Sequence, residues 1–261
     1  MGVITELSGH TLVVTIDRPE ARNAIDQDTW DALGDAWRRA ETDPDVRAVV
    51  VTGTGDRAFS AGADLRAIAE GGYRTEPDPV RDPWGFAGVT SHDISVPVVA
   101  AVNGLALGGG WEIVLACDLV VAAEHAEFAL PEVQRGLVAG GGGAFRIAEQ
   151  LPRPLAMQLL LTGERISATR ARDLGLVNQV VAAERLLPEA LALAERIARN
   201  APLAVQATKR IARSITRGTA VADTEHWMRS GTEVTRVMRS EDAREGARAF
   251  VEKREPVWRA R

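Results

Sequence analysis

The chain has 261 residues, 46% of them hydrophobic, and a formal net charge of −5. That length supports one large core, or a core with a smaller appended unit, and the charge argues against a basic nucleic-acid face or a polyanionic tail. No apolar stretch reaches the ~18 residues of a membrane span; the single Cys117 in an apolar run, with no signal peptide in view, favours a reducing cytosol; and His10, His92, His125 and His226 lack metal-motif spacing.

The N-terminus reads as a hairpin, VITEL and TLVVTI joined at Ser8-Gly9-His10. Asp26 to Thr42 reads as a helix, with Trp30, Leu33 and Trp37 at helical spacing and Asp26 as its N-cap. RAVVVTG, PVVAAVNG, CDLVVAAE and AEFAL read as short apolar strands. Continuous apolar strands between helical segments indicate a parallel α/β sheet buried on both faces. Gly71 to Asp93, with Pro77, Pro79 and Pro83, reads as a mobile loop with at most short helix, and AGGGG (139–143) as a second flexible turn. From Glu184 onward the pattern becomes helical: Glu184 to Asn200, Pro202 to Thr216, Val221 to Arg239 and Glu241 to Lys253. The expected organisation is an α/β core over 1–182 and a C-terminal helical region over 183–261, with Val205, Ile211 and Ile215 as apolar positions beyond what one core needs.

NGLALGGGWEIVLACD, Asn103 to Asp118, carries the first chemical signal. A helix starting near Gly109 or Gly110 leaves its first-turn N–H groups without intrahelical partners, and its dipole adds positive character there. Glu112 falls on the same side about one turn along. An anion-holding N–H beside a carboxylate suits chemistry on a carbonyl compound, one group holding an enolate oxygen and the other moving a proton. The same residues also suit plain packing, since glycine runs permit tight strand–helix contact and the dipole favours an acid in the first turn. The stretch is neither a Rossmann fingerprint nor a P-loop. Two more stretches add to it. In TGTGDRAFSAGADL (52–65), small residues around Ala61 and Ala63 admit a ligand to the backbone, and Asp64 caps a following helix. In FALPEVQRGLVAGGGG (128–143), Glu132 follows a short strand.

Over nearly the whole chain, six motifs occur in a fixed order: RPEARNAID (18–26), AFSAGADL (58–65), AVNGLALGGGWEI (101–113), CDLVVAAEHAEFALPEVQRGLVAGGGG (117–143), LTGERISATRARDLGLVNQVV (161–181) and REGARAFVEKR (244–254). This ordered set resembles the enoyl-CoA hydratase, or crotonase, superfamily. The resemblance implies an α/β fold, a crotonase-like spiral of ββα units with a C-terminal helical region, assembled as homotrimers or dimers of trimers. It implies an acyl-CoA substrate, coenzyme A being part of that substrate and no further cofactor or metal being needed, and neither nucleic acid nor membrane as partner. The backbone N–H groups of Ala63 and Gly109 match the family's oxyanion hole. Glu112 and Glu132 match both glutamates of the hydratases, the first mainly activating water and the second mainly supplying a proton at C2, whereas isomerases typically keep only the Glu132-type residue. Arg22, Ala24, Ala61, Asp64 and Leu65 match segments that meet coenzyme A, and Phe250 and Lys253 match C-terminal residues that reach a neighbouring subunit's ligand. For Arg22, Asp64 and Phe250, a surface arginine, a helix cap and a core phenylalanine are the structural alternatives.

The resemblance has three departures. Trp111 stands where typical hydratases have a small residue, which would reshape the acyl or water side. Ala139 replaces a common proline, and the segment 66–95 is unlike the usual helical one. Tyr73, Trp84 and Phe86 on that segment are the expected acyl wall. The reading is therefore enoyl-CoA hydration. The alternatives are another acyl-CoA enzyme of the same fold (isomerase, dehalogenase, thioester hydrolase or a carnitinyl-CoA-type dehydratase) and, from another class, an RNA-binding crotonase-like protein, against which the net charge argues.

Overall fold

A hairpin of β1 (Val3–Ser8) and β2 (Thr11–Ile16) opens the chain, paired antiparallel with Leu7 opposite Leu12. The structure, a computed structural model, describes residues 2–74, 78 and 84–261; Pro77, Pro79 and Pro83 of the expected loop lie outside the described residues. Helix α1 (Gln27–Thr42) begins where expected, because the Asp26 carboxylate accepts the Thr29 N–H at 2.9 Å and satisfies a free first-turn donor. Its Leu33 and Trp37 are buried against the sheet.

Three units of strand, strand and helix follow. The first is β3 (Ala48–Gly53), β4 (Ala58–Ser60) and α2 (Leu65–Ala69). The second is β5 (Val98–Val102), β6 (Leu105–Leu107) and α3 (Gly109–Ala116). The third is β7 (Leu119–Ala123), β8 (Glu127–Ala129), a 3-10 turn over Pro131–Arg135, and α4 (Gly143–Gln150). Helices α5 (Arg153–Thr162) and α6 (Ala168–Asp173) flank β9 (Ile166–Ser167), and β10 (Gln179–Val181) closes the sheet region. The first strand of each unit joins a six-stranded sheet in the order β1-β2-β3-β5-β7-β10, and the second joins a four-stranded sheet in the order β4-β6-β8-β9. Apart from the β1–β2 and β8–β9 pairs, all of these neighbours run parallel. Repeating the step winds the chain into the ββα spiral.

The apolar strands are continuous because both faces are covered. Val49 and Val51 face the main core with Trp37, Phe59 and Phe128, while the alternate residues Ala48 and Val50 pack under α7 (Leu186–Ala198). Helices α8 (Pro202–Arg213), α9 (Thr224–Met238) and α10 (Glu241–Glu252) complete the C-terminal region. The helix expected over 202–216 stops at Arg213, since Ser214 turns left-handed (φ +52) and Ile215–Thr216 pairs with Thr219–Ala220. No helix among the described residues is long and apolar enough to cross a membrane.

Candidate active site

Helix α3 starts at Gly109, with Gly108 before it as a left-handed N-cap (φ +55), and its first bond runs from the Glu112 N–H to the Gly108 carbonyl at 3.0 Å. The Gly109 N–H thus has no intrahelical acceptor, and none elsewhere on the backbone among the described residues. A side chain at Gly109 would strike the Phe86 ring at 2.5 Å, and one at Gly110 would run into the Ser60 carbonyl. The glycine run therefore lets α3 press against β4 and Phe86.

Opposite it, Ala63 bridges Ile25 in parallel. The Ile25 N–H donates to the Gly62 carbonyl at 2.8 Å and the Asp64 N–H donates to the Ile25 carbonyl at 2.9 Å. Alternation along an extended segment turns the intervening Ala63 N–H away from Ile25, and it too has no backbone acceptor among the described residues.

Ala63 and Gly109 share one cavity of about 330 Å³ with Ala61, Leu65, Glu112 and Glu132. Glu112 is 5% exposed, and its Oε1 accepts the Gly143 N–H at 2.9 Å, from the N-terminus of α4. Burial pushes this carboxyl up to about 7, against the pull of the Gly143 amide, the Arg146 guanidinium and the Gly141 amide. Glu132 comes from the 3-10 turn after β8. Its Oε2 is buried with no hydrogen-bond partner among the described residues. Burial, and then the charge of Glu112, push it up to about 8. Two carboxyls whose shared surroundings both favour the neutral form can keep a proton between them, the arrangement that lets one act as acid and the other as base.

The remaining candidates sit around this cavity rather than in its wall. The Arg22 carbonyl accepts the Ala61 N–H at 3.0 Å, so Arg22 fixes the segment leading to Ala63 through its backbone. Ala24 is buried, and its carbonyl accepts from Arg18 at 2.6 Å. Asp64 caps α2 and pairs with Arg18. Phe250 is half-exposed beneath the Arg135 guanidinium, 5.1 Å from its ring centre, and Lys253 ends α10 as an exposed left-handed residue.

The aromatic expectations divide. Phe86 lines the cavity. Trp84 does not; it stacks on His92 at 3.8 Å, with the planes 4° apart. Tyr73 is turned to the Ile25 carbonyl and the Asp64 N–H. Trp111 is buried against Phe128 with ring centres 5.7 Å apart, so its bulk fills core rather than the cavity wall. The part of the segment that carries Phe86 is tied to α1. The Trp37 Nε1–H donates to the Ala87 carbonyl at 2.9 Å, and Gly88 lies flush against Gly34 of α1.

Two features were not read from the sequence. Val234 of α9 reaches the cavity and packs on Gly140, whose carbonyl also accepts from the Ser230 hydroxyl at 3.1 Å. The second is Arg146, which lies buried in α4 behind the glycine turn. A lone arginine inside the apolar stretch GAFRIA was its only signal.

The enoyl-CoA hydratase/isomerase family matches this chain over residues 6–261. A carnitinyl-CoA dehydratase of Salmonella agona (strain SL483) is 45% identical over 257 residues, 97% of each chain. Among solved structures, a carnitinyl-CoA dehydratase from Mycobacterium avium 104 is 55% identical with a TM-score of 0.93, and covers 100% of this chain and 99% of its own. An enoyl-CoA hydratase from Mycobacterium tuberculosis H37Rv is 39% identical with a TM-score of 0.75 and the same coverage. With its spiral fold and its full-length match, the chain belongs to the enoyl-CoA hydratase/isomerase family and is an enzyme of the crotonase type.

Proposed function

We propose that this enzyme adds water reversibly across the 2,3-double bond of an enoyl-CoA thioester. One observation carries the reading: buried Glu112, Glu132 with its buried Oε2, and two backbone N–H groups without backbone acceptors among the described residues share one cavity. In the hydration direction, ionised Glu112 takes a proton from water and the oxygen bonds to C3. The electron pair of the double bond moves to the thioester as an enolate, whose oxygen accepts from the Ala63 and Gly109 N–H groups. Glu132 then gives its proton to C2. The pair ends with its proton on Glu112 instead of Glu132, and exchange with solvent resets it. Electrons and protons balance with water and two carboxyls, so the reaction needs no cofactor beyond the coenzyme A of the substrate.

The relatives at 45% and 55% identity favour a second reading of the substrate, a carnitinyl-CoA-type 3-hydroxyacyl thioester that loses water. Purified enzyme assayed with crotonyl-CoA and, separately, with carnitinyl-CoA tests both. Turnover of neither overturns the proposal, and the larger kcat/KM chooses between the substrates.

The exposed apolar side chains Leu203, Ile211 and Met228 support a homo-oligomeric state, a trimer or a pair of trimers. Light scattering that gives only a monomer at micromolar concentration would contradict it.

A further inference from the structure

Arg146 is a buried charge without a salt bridge among the described residues. It is 5% exposed, and no carboxylate among the described residues lies within ion-pair distance. Its Nη2 donates to the Thr90 carbonyl at 2.7 Å and its Nη1 to the Gly141 carbonyl at 3.3 Å. Its Nε is buried without a partner among the described residues. The rings of Phe145 and Trp227 hold the guanidinium at 5.2 and 5.4 Å. A buried cation with no paired anion costs several kcal/mol in general, so a group of this kind points to a role beyond holding the fold.

Its surroundings indicate that role. Arg146 presses on Gly142, and its Gly141 contact is one residue from there. On the other side of the same turn, the place of a Gly141 Cβ is 2.5 Å from Glu112 Oε2, and Gly143 donates to Glu112 Oε1. The glycine turn is thus clamped between the guanidinium and the carboxyl. Other acids around Arg146 have partners: Asp93 and Asp223 with Arg213, and, lining one cavity with it, Glu149 with His226 and Asp118 with Lys209. Burial and nearby Asp118 hold the Cys117 thiol well above its ordinary range, which leaves it neutral. Among the described residues, Glu112 is then the acid acting on Arg146 that has no ion pair of its own.

We propose that Arg146 is a positioning residue that presents the Gly141–Gly143 turn to Glu112 and, through its unpaired charge, keeps one carboxyl of the Glu112–Glu132 pair ionised as a base. Hydration needs one base and one acid. Two carboxyls in a dry cavity both drift toward the neutral form, and an opposite charge behind the turn resists that drift. This inference rests on the two-glutamate reading of the site.

Arg146→Met keeps the alkyl stem and removes the charge; Arg146→Lys keeps the charge but cannot span both carbonyls. Both are assayed on whichever of crotonyl-CoA or carnitinyl-CoA the wild type turns over, with circular dichroism as the folding check. For Arg146→Met we expect kcat to fall ~10-fold with KM within ~2-fold. The acid limb of kcat/KM should move up by ~1 pH unit, because a lost cation makes the pair harder to ionise. For Arg146→Lys we expect the limb to stay in place while kcat falls. A merely structural arginine would lower the melting temperature and the active fraction but leave the limb where it was. A folded Arg146→Met enzyme with the wild-type limb overturns the proposal. If Arg146→Met does not fold, Arg146→Lys decides, and full kcat in that variant overturns it. If instead Glu112→Gln keeps wild-type turnover, the two-glutamate reading itself has failed, which is a separate result.

Discussion

The place a Cβ would occupy on Gly62 lies 2.8 Å from the Gly109 amide nitrogen and 2.9 Å from the Leu107 carbonyl oxygen. The segment leading to Ala63 and the start of α3 therefore touch backbone to backbone, and this contact sets the spacing of the two proposed enolate donors. Gly62 is also left-handed (φ +81), so alanine there is strained as well as crowded. Gly62→Ala is expected to lower kcat by ~10²-fold through a displaced donor, in protein whose circular dichroism matches wild type. A folded variant with full turnover would show that the spacing of these segments does not matter for the reaction.

Glu112→Gln and Glu132→Gln are each expected to lower turnover by ~10²-fold or more, the scale of lost general acid–base help. Both replacements keep the shape of the side chain and remove its ability to exchange a proton. Steady-state rates on the preferred thioester check this. A variant that retains the wild-type rate removes that residue from the proposed mechanism.

The same Glu132 replacement should raise stability. In the folded protein this carboxyl is pushed up from an ordinary 4.5 to about 8, by burial first and by Glu112 second. The folded state therefore keeps a proton that the unfolded chain releases as pH rises from about 4.5 to about 8, and wild-type stability declines across that window. Glutamine cannot ionise and escapes the decline. The expected advantage of Glu132→Gln is small at pH 4.5 and grows steadily as pH rises towards 8. Melting curves at several pH values test it, and an advantage that does not grow with pH contradicts the assigned cause.

Much of this was legible in the sequence because strong local signals agree with the fold. The Asp26 cap, the start of α3 after Gly108 and the paired-face burial of VVAAV each follow from residues adjacent in the chain. Strands β4 and β6 are hard to read because each is three residues long and follows a longer apolar strand across a Gly-containing turn, so it merges with the loop. They exist because β4, β6 and β8 pair with one another across long sequence separations. Trp111, expected to reshape the acyl or water side, and Trp84, expected in the acyl wall, both point elsewhere for a related reason. Each ring is directed by a distant partner, Phe128 and His92 respectively, that no local pattern reveals. Arg146 gives little local signal because its partners, Thr90 and Trp227, lie more than fifty residues away on either side in the sequence.

Phe86, rather than Trp84, should control the acyl group. Phe86 lines the cavity beside Gly109 and is braced edge-on by Trp30, with ring centres 5.2 Å apart. Phe86→Ala is expected to change the kcat/KM profile across C4 to C12 enoyl thioesters, since each further buried CH₂ contributes up to ~0.8 kcal/mol. Trp84→Ala is expected to leave that profile alone and to lower stability by about 1–2 kcal/mol through its lost packing on His92. The reverse outcome would place Trp84 in the acyl wall.

Asp64 tests whether a carboxylate beside the cavity serves the ligand or the fold. Both of its oxygens are committed within the protein. Oδ1 accepts the Arg66 N–H at 3.1 Å and the Ala67 N–H at 3.3 Å, and Oδ2 accepts from Arg18 at 3.1 Å. Arg18 also meets Asp26 at 3.1 Å, so Asp64 ties the start of α2 to the cap of α1. Asp64→Ala loses the cap and the ion pair and is expected to cost about 1–2 kcal/mol of stability. Asp64→Asn keeps an oxygen for the cap and gives up only the charge, so it should cost about half as much. Because both oxygens already serve the fold, KM for the thioester should stay within ~2-fold in the Asn variant. Melting temperatures and KM measured on the same two proteins separate the roles. A ~10-fold rise in KM with an unchanged melting temperature would assign the carboxylate to substrate binding rather than to the helix cap.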